Sequence, residues 1–154
     1  MRRRDREIRD REEIDAIIRG CVVCHVAFAV KNEPYLVPLS FGYDGGSLYF
    51  HTAGTGRKLD CIAANNRVCF QLERDVRLVE HPERACEWTF SFESVVGYGV
   101  IHELESDVER ARGLNEIMKH YSGRDWPFGP ADMAGTRVWQ LEIESITGKR
   151  AVPK

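Results

Sequence analysis

Residues 47–60 contain the side-chain types that could hold a phosphate group. An apolar run ends there at His51 and Thr52, a glycine-containing loop follows, and a helical pattern begins with Arg57 and Lys58 in its first turn. Loop N–H groups, a hydroxyl and two cations are donors that bind a phosphate monoester. Lys and Arg are unfavourable at a helix N-terminus, so a bound anion would remove a penalty that a structural role leaves unexplained. On spacing alone, a solvated polar turn is an equally good interpretation.

Cys21 and Cys24 have the Cys-x-x-Cys spacing found in redox and zinc sites. The pair lies in an apolar, strand-like run rather than at a helix start, and no second cysteine pair has metal-binding spacing. Buried, reduced strand cysteines are therefore the preferred interpretation, and His25 in the same run is interpreted as a core histidine. The remaining histidines do not cluster in the sequence, so we predict no metal site.

The first half of the chain predicts a helix followed by three antiparallel strands. Asp10 and Glu13 have the spacing of a helix start, an apolar helical face follows, and Gly20 ends the pattern. Residues 54–65 again have the helical period, which places Arg57 and Lys58 in the first turn of a short helix. The three strands between these helices are separated by turn sequences rich in Pro and Gly, and they are predicted at 21–30, 35–43 and 47–51.

The second half predicts three further strands and the clearest helix of the chain. Ser106 and Glu109 form a capping box ahead of an apolar stripe. Gly97 and Gly99 suggest a bulge in a long strand, and residues 75–86 read as an irregular polar connection. The predicted strands are 67–73, 87–102 and 137–146. About six strands with two or three helices and short connections predict a small antiparallel barrel.

Composition sets limits on the class of protein. The 154 residues suit one domain, and 22 Lys and Arg against 24 Asp and Glu give a net charge of −2. Without a basic field, nucleic acid is not an expected partner. No apolar run is long enough to span a membrane, and no secretory signal is recognised. We therefore expect a cytoplasmic protein with no membrane partner.

Several segments together resemble a known family. The helix start at 10–18, the strand 34–41, the His-Thr-Ala of 51–53 followed by the Gly-Arg-Lys of 56–58, and the closing Ile-Thr-Gly-Lys of 146–149 are similar to flavin-nucleotide-binding split-barrel proteins. These proteins are related to pyridoxamine 5'-phosphate oxidase. Within them, the chain most resembles the nitroimidazole-resistance (Nim), nitroreductase-like branch.

The resemblance implies a mainly β fold, a six-stranded antiparallel split β-barrel of the Greek-key, FMN-binding type, as a single domain over residues 1–154. It implies a homodimer with FMN sites shared at the subunit interface. Arg57 and Lys58 would hold the FMN phosphate with help from Thr52, and His51 would lie beside the flavin as the catalytic residue. Trp139 would form a wall contributed by the partner subunit. The strand along the isoalloxazine would be Val37, Pro38, Leu39, Ser40 and Phe41.

The expected function is that of an FMN-dependent oxidoreductase reducing a small electrophilic acceptor, with a nicotinamide as one option for the electron donor. The end of the chain has no Arg-x-His motif of the kind that pyridoxamine 5'-phosphate oxidases use for substrate, so oxidase activity on that vitamer is not expected. The alternative from another class is a non-catalytic carrier or sensor that binds flavin or haem. A third hypothesis is a structural dimeric barrel whose site has lost its ligand.

Overall fold

The structure is a computed structural model and describes residues 4–152. The predicted domain limits at residues 1 and 154 lie outside the described residues. Within 4–152 there are two short 3₁₀ turns, at Arg4–Arg6 and Ala85–Glu87. The same range contains three α-helices, which are α1 (Arg11–Arg19), α2 (Arg57–Ala64) and α3 (Asp107–Ser122).

Every strand pairing in the described part of the chain is antiparallel. The strands in chain order are β1 (Glu7–Ile8), β2 (Cys24–Val30), β3 (Glu33–Leu39), β4 (Gly42–Tyr43), β5 (Ser47–Ala53), β6 (Arg67–Val79), β7 (Thr89–Leu104) and β8 (Thr136–Ala151). Their order in the sheet is β3-β2-β6-β7-β8-β5-β4, and β1 pairs with β8. Six strands form in the predicted regions, but the predicted strand 35–43 is interrupted at Ser40 and Phe41, so that its end forms the separate strand β4. The two-residue strand β1 is additional. The fold is a mainly β, split β-barrel with three helices.

The predicted bulge in the long strand is confirmed. The pairing of β7 with β8 shifts register between Tyr98 and Gly99, so that Tyr98 faces Ser145 while Gly99 faces Ile143. A side chain at Gly99 would overlap the carbonyl oxygen of Glu142. Glycine is therefore required where the two backbones approach most closely at this bend.

The prediction for residues 75–86 is wrong in its first part. β6 does not end near Glu73 but continues to Val79, through a register shift between Arg74 and Arg77. Asp75 adopts a positive φ of 55° at the shift. The register shift interrupts the alternation of polar and apolar residues that marks a strand. The sequence pattern therefore could not predict that β6 continues beyond this point.

Two apolar clusters stabilise the fold. The first fills the barrel and includes the inner faces of α1 and α2, with Ile17 and Ile18 fully buried. The second lies between α3 and the outer face of β5 and β8, and Phe128 packs against it. Phe128 thereby anchors the loop of residues 126–130 on the barrel.

The start of α3 and its last turn are both fixed by specific contacts. The predicted capping box is confirmed, since Ser106 and Glu109 bond each other's backbone N–H groups. Near the other end, the Tyr121 hydroxyl donates to the Val22 carbonyl at 2.7 Å and accepts from the Phe41 N–H at 3.1 Å. Helix α3 thereby holds the segment that follows β3.

The cysteines of the Cys-x-x-Cys pair are free and buried, as predicted, but only Cys24 lies in a strand, because β2 begins there. Burial raises the pKa of Cys21 to about 11, which makes it a poor nucleophile or metal ligand. His25 differs from the expected core histidine, because it is half-buried on the outer face of β2. Its Nδ1 is buried and has no hydrogen-bond partner among the described residues.

Candidate functional site

The start of α2 carries a cation whose charge is not neutralised. The N-cap residue Gly56 has a φ of 134° and provides no side-chain cap. Lys58 in the first turn is half-buried, and it makes no hydrogen bond or ion pair with any residue between 4 and 152. Burial lowers the pKa of its ammonium group. An uncapped helix start with an unpaired cation is an arrangement that attracts an anion.

Arg57, the second predicted cation, does have a partner. Its Nη2 donates to Oε1 of Glu33 at 2.6 Å, and its guanidinium carbon lies 4.6 Å from the ring centroid of Tyr35. Both partners lie on β3, 24 and 22 residues earlier in the chain. Sequence reasoning missed Glu33 and Tyr35, because no local pattern reveals which strand passes beside the start of α2.

Thr52 and Trp139 are brought together inside the barrel. The Trp139 indole N–H donates to the Thr52 hydroxyl at 3.0 Å, and that hydroxyl donates to the Ala53 carbonyl at 2.9 Å. Trp139 is only 4% exposed and lies parallel to Phe50, with 6.4 Å between ring centroids. The Thr52 hydroxyl is thus an acceptor and donor within its own chain, and its position at the end of β5 is fixed.

His51 points to the opposite face of β5 from Thr52, because successive strand side chains alternate. It pairs with Val138 across the strands and is accessible at the surface. Partial burial, followed by the charge of Lys58, lowers the pKa of His51. The imidazole is therefore neutral at pH 7, with one ring nitrogen that donates and one that accepts a hydrogen bond.

Only part of the predicted flavin strand is a strand: β3 ends at Leu39, at one end of the sheet, and Ser40 and Phe41 follow it. β3 pairs only with β2 among the described strands, so its outer edge presents backbone groups that no strand uses. Pro34 and Pro38 have no N–H, so they contribute only carbonyls to that edge. Val37 is half-buried, Pro38 and Ser40 are exposed, and Leu39 and Phe41 are buried. The N–H of Phe41 is already bound by Tyr121.

The ends of the sheet meet at this site. β3 is the first strand of the sheet order and β5 lies near its other end, yet Arg57, which follows β5, contacts Glu33 and Tyr35 of β3. The contact spans the opening of the split barrel. The site therefore combines the two cations, His51 and an unpaired strand edge at this opening.

Between residues 4 and 152, no group of three or more His, Cys, Asp or Glu side chains is placed to hold a metal ion. In the same part of the chain, no helix is both long and apolar enough to cross a membrane.

The antiparallel split barrel defines the class of fold, and comparison with known proteins assigns the family. Residues 10–150 match the sequence profile of the pyridoxamine 5'-phosphate oxidase family. The chain belongs to this family. Comparison with curated proteins gave no match.

Solved structures share the fold. A candidate 5-nitroimidazole antibiotic resistance protein from Bacteroides thetaiotaomicron is 28% identical, with a TM-score of 0.82, over 94% of this chain and 86% of that one. A flavocytochrome from Azotobacter vinelandii is 20% identical, with a TM-score of 0.82, over 99% and 72% of the two chains. An FAD and heme binding protein from Mycobacterium smegmatis is 18% identical, with a TM-score of 0.83, over 97% and 76%.

Proposed function

We propose that this chain binds FMN and acts as an FMN-dependent oxidoreductase that reduces a small electrophilic acceptor, in the manner of a nitroimidazole reductase. The single observation that carries the proposal is Lys58, a half-buried cation without a partner among residues 4–152 at an uncapped helix start. A phosphate monoester would neutralise it, bond the first N–H groups of α2 and reach the nearby guanidinium of Arg57.

The flavin ring fits the edge of β3. An isoalloxazine has a polar edge of carbonyl and N–H groups, and the outer edge at the end of β3 would bond it through the Pro38 carbonyl and the backbone of Ser40, which follows the strand. When bound, FMN supplies the hydride or electron transfer. The edge of β3 and the start of α2 would hold FMN, and the hydrogen bond from Trp139 to Thr52 would fix the end of β5 that leads to the phosphate-binding loop. His51 presents a neutral imidazole that can exchange a proton with the acceptor.

We also propose that the protein is a homodimer with shared sites. Residues that lie directly opposite each other on neighbouring strands have their side chains on the same face of the sheet. Two such rows run across β3, β2, β6, β7 and β8 on the side of the sheet that faces away from the barrel interior. We call this surface the outer face; its rows are Leu36, Ala27, Cys69, Tyr98, Ser145 and Pro38, His25, Gln71, Val96, Thr147. Leu36 is 61% and Tyr98 50% exposed. A broad patch of apolar and small side chains suits a second copy of the chain, and it adjoins β3.

Flavin binding is tested by titration and spectroscopy. Protein incubated with FMN and passed through gel filtration should retain flavin absorbance, and FMN fluorescence should change on binding. The reduced complex is then mixed with nitro, quinone and imine acceptors, with free reduced FMN as the reference. Reoxidation faster than the reference supports the oxidoreductase. Binding without acceleration indicates the carrier or sensor, and absence of retained flavin refutes the proposal.

Dimerisation is tested by sedimentation equilibrium. Tyr98→Lys places a charge in the centre of the outer face and should convert a dimer into a monomer. Val108→Lys is the matched control, because Val108 is 82% exposed on α3 and belongs to neither of the two rows. A monomeric wild-type protein at micromolar concentration, or dimers unaffected by Tyr98→Lys, would contradict this interface.

A further inference from the structure

The two cations of the first turn of α2 are in different electrostatic states. Lys58 has no partner among residues 4–152, whereas Arg57 is paired with the carboxylate of Glu33 at 2.6 Å. Both members of that pair are exposed, with 55% of the Arg57 and 73% of the Glu33 side chain accessible. A carboxylate offers a guanidinium the same oxygen acceptors as a phosphate. The carboxylate of Glu33 thus already pairs with Arg57, one of the two cations proposed to bind phosphate.

The backbone places Glu33 beside Arg57. The β2–β3 connection is a two-residue turn in which Lys31 and Asn32 have positive φ values of 50° and 66°, and Glu33 pairs with Val30 immediately after it. Such turns fix the register of the strands that they join. At the other end of α2, Asn65 donates to the Ala29 carbonyl at 3.0 Å. These contacts hold the hairpin end and α2 side by side.

We propose that Glu33 is an internal competitor of the ligand phosphate for Arg57, an inference that rests on the proposed function. In the free protein the carboxylate neutralises Arg57 and holds it over Tyr35. An exposed ion pair of this kind contributes little net stability, so a phosphate dianion can displace Glu33. The phosphate must break this ion pair in order to bind Arg57, and that cost lowers the affinity. Glu33 therefore makes the phosphate ligand more readily exchangeable.

The test compares FMN affinity in wild-type protein and Glu33→Gln by fluorescence titration of the full chain. We expect Glu33→Gln to bind FMN about 1.5- to fivefold more tightly, and the gain should shrink at high salt. In an Arg57→Gln background the same change should produce no gain. Glu87→Gln is the matched control, because Glu87 forms a surface ion pair of equal length with Arg84, 2.6 Å, and should leave affinity unchanged.

The outcomes separate this inference from the function on which it rests. If wild-type protein binds FMN and Glu33→Gln binds it equally or more weakly, Glu33 positions Arg57 rather than competes for it, and the inference is overturned while the function stands. If neither protein binds FMN, both are overturned. A gain that persists without Arg57 would also overturn the competition, since Glu33 would then act only through its charge.

Discussion

Replacing Lys58 with Met should weaken ligand binding and stabilise the free protein at the same time. A charge-assisted hydrogen bond to a phosphate contributes about 1.5–3 kcal/mol, so its loss should raise the Kd for FMN about 10- to 150-fold. In the free protein, a cation in the first turn of a helix costs about 0.3–1 kcal/mol. The apolar stem of Lys58 has a close analogue in Met. Removing the charge should therefore raise the Tm of the free protein by about 1–4 °C.

Fluorescence titration measures the first effect, and thermal unfolding without ligand measures the second. Lys119→Met is the matched control, because Lys119 lies on α3 and pairs with Glu116 at 3.1 Å and Asp125 at 3.2 Å. That variant should leave FMN affinity unchanged and should not stabilise the protein. Unchanged affinity in Lys58→Met would refute the phosphate role. A fall in Tm would show that Lys58 has a stabilising partner in the free protein and is not an unpaired cation.

Three further predictions concern the scaffold. Gly99→Ala should destabilise the protein by at least about 2 kcal/mol, because the added methyl group overlaps the Glu142 carbonyl. Gly54→Ala is the control, since Gly54 has open space around it. Equal Tm values for the two variants would refute the close approach of the backbones at Gly99. Ser106→Ala should lower the Tm by about 2–4 °C through loss of the cap, and Ser106→Asp should restore it. Burial alone would raise the pKa of Glu93, but two arginines outweigh it and lower the pKa. The ionised Glu93 carboxylate therefore stabilises the fold fully above its unfolded pKa of about 4.3. This stabilisation is lost as the pH falls through the lower pKa that Glu93 has in the folded protein. Glu93→Gln should therefore flatten the acid side of a plot of Tm against pH.

The sequence was most informative where the signal is local. The capping box of Ser106 and Glu109 depends on residues three apart, and the bulge at Gly99 depends on a backbone approach that only glycine permits. The position of Arg57 and Lys58 at the start of α2 also follows from a local change of period. These features required no knowledge of which strands are neighbours.

Contacts between distant parts of the chain could not be predicted in this way. The pairing of Thr52 with Trp139 depends on the register of β5 and β8, and the pairing of Arg57 with Glu33 depends on barrel curvature. The extension of β6 to Val79 was missed for a different reason, since Asp75 breaks the strand alternation without ending the strand. Local patterns place residues along an element, but only the register decides which side chains meet.

The opening in the barrel explains why a site can form there. A closed barrel uses every strand edge in hydrogen bonds, whereas in this fold β3 keeps one edge that no described strand pairs with. Helix α2 follows β5 and brings Arg57 across the opening to β3. Polar edge groups and helix-start cations thus come together because the sheet is not closed. A ligand with a phosphate at one end and a planar polar ring at the other would use both features, and Glu33 at their junction would set how tightly it is held.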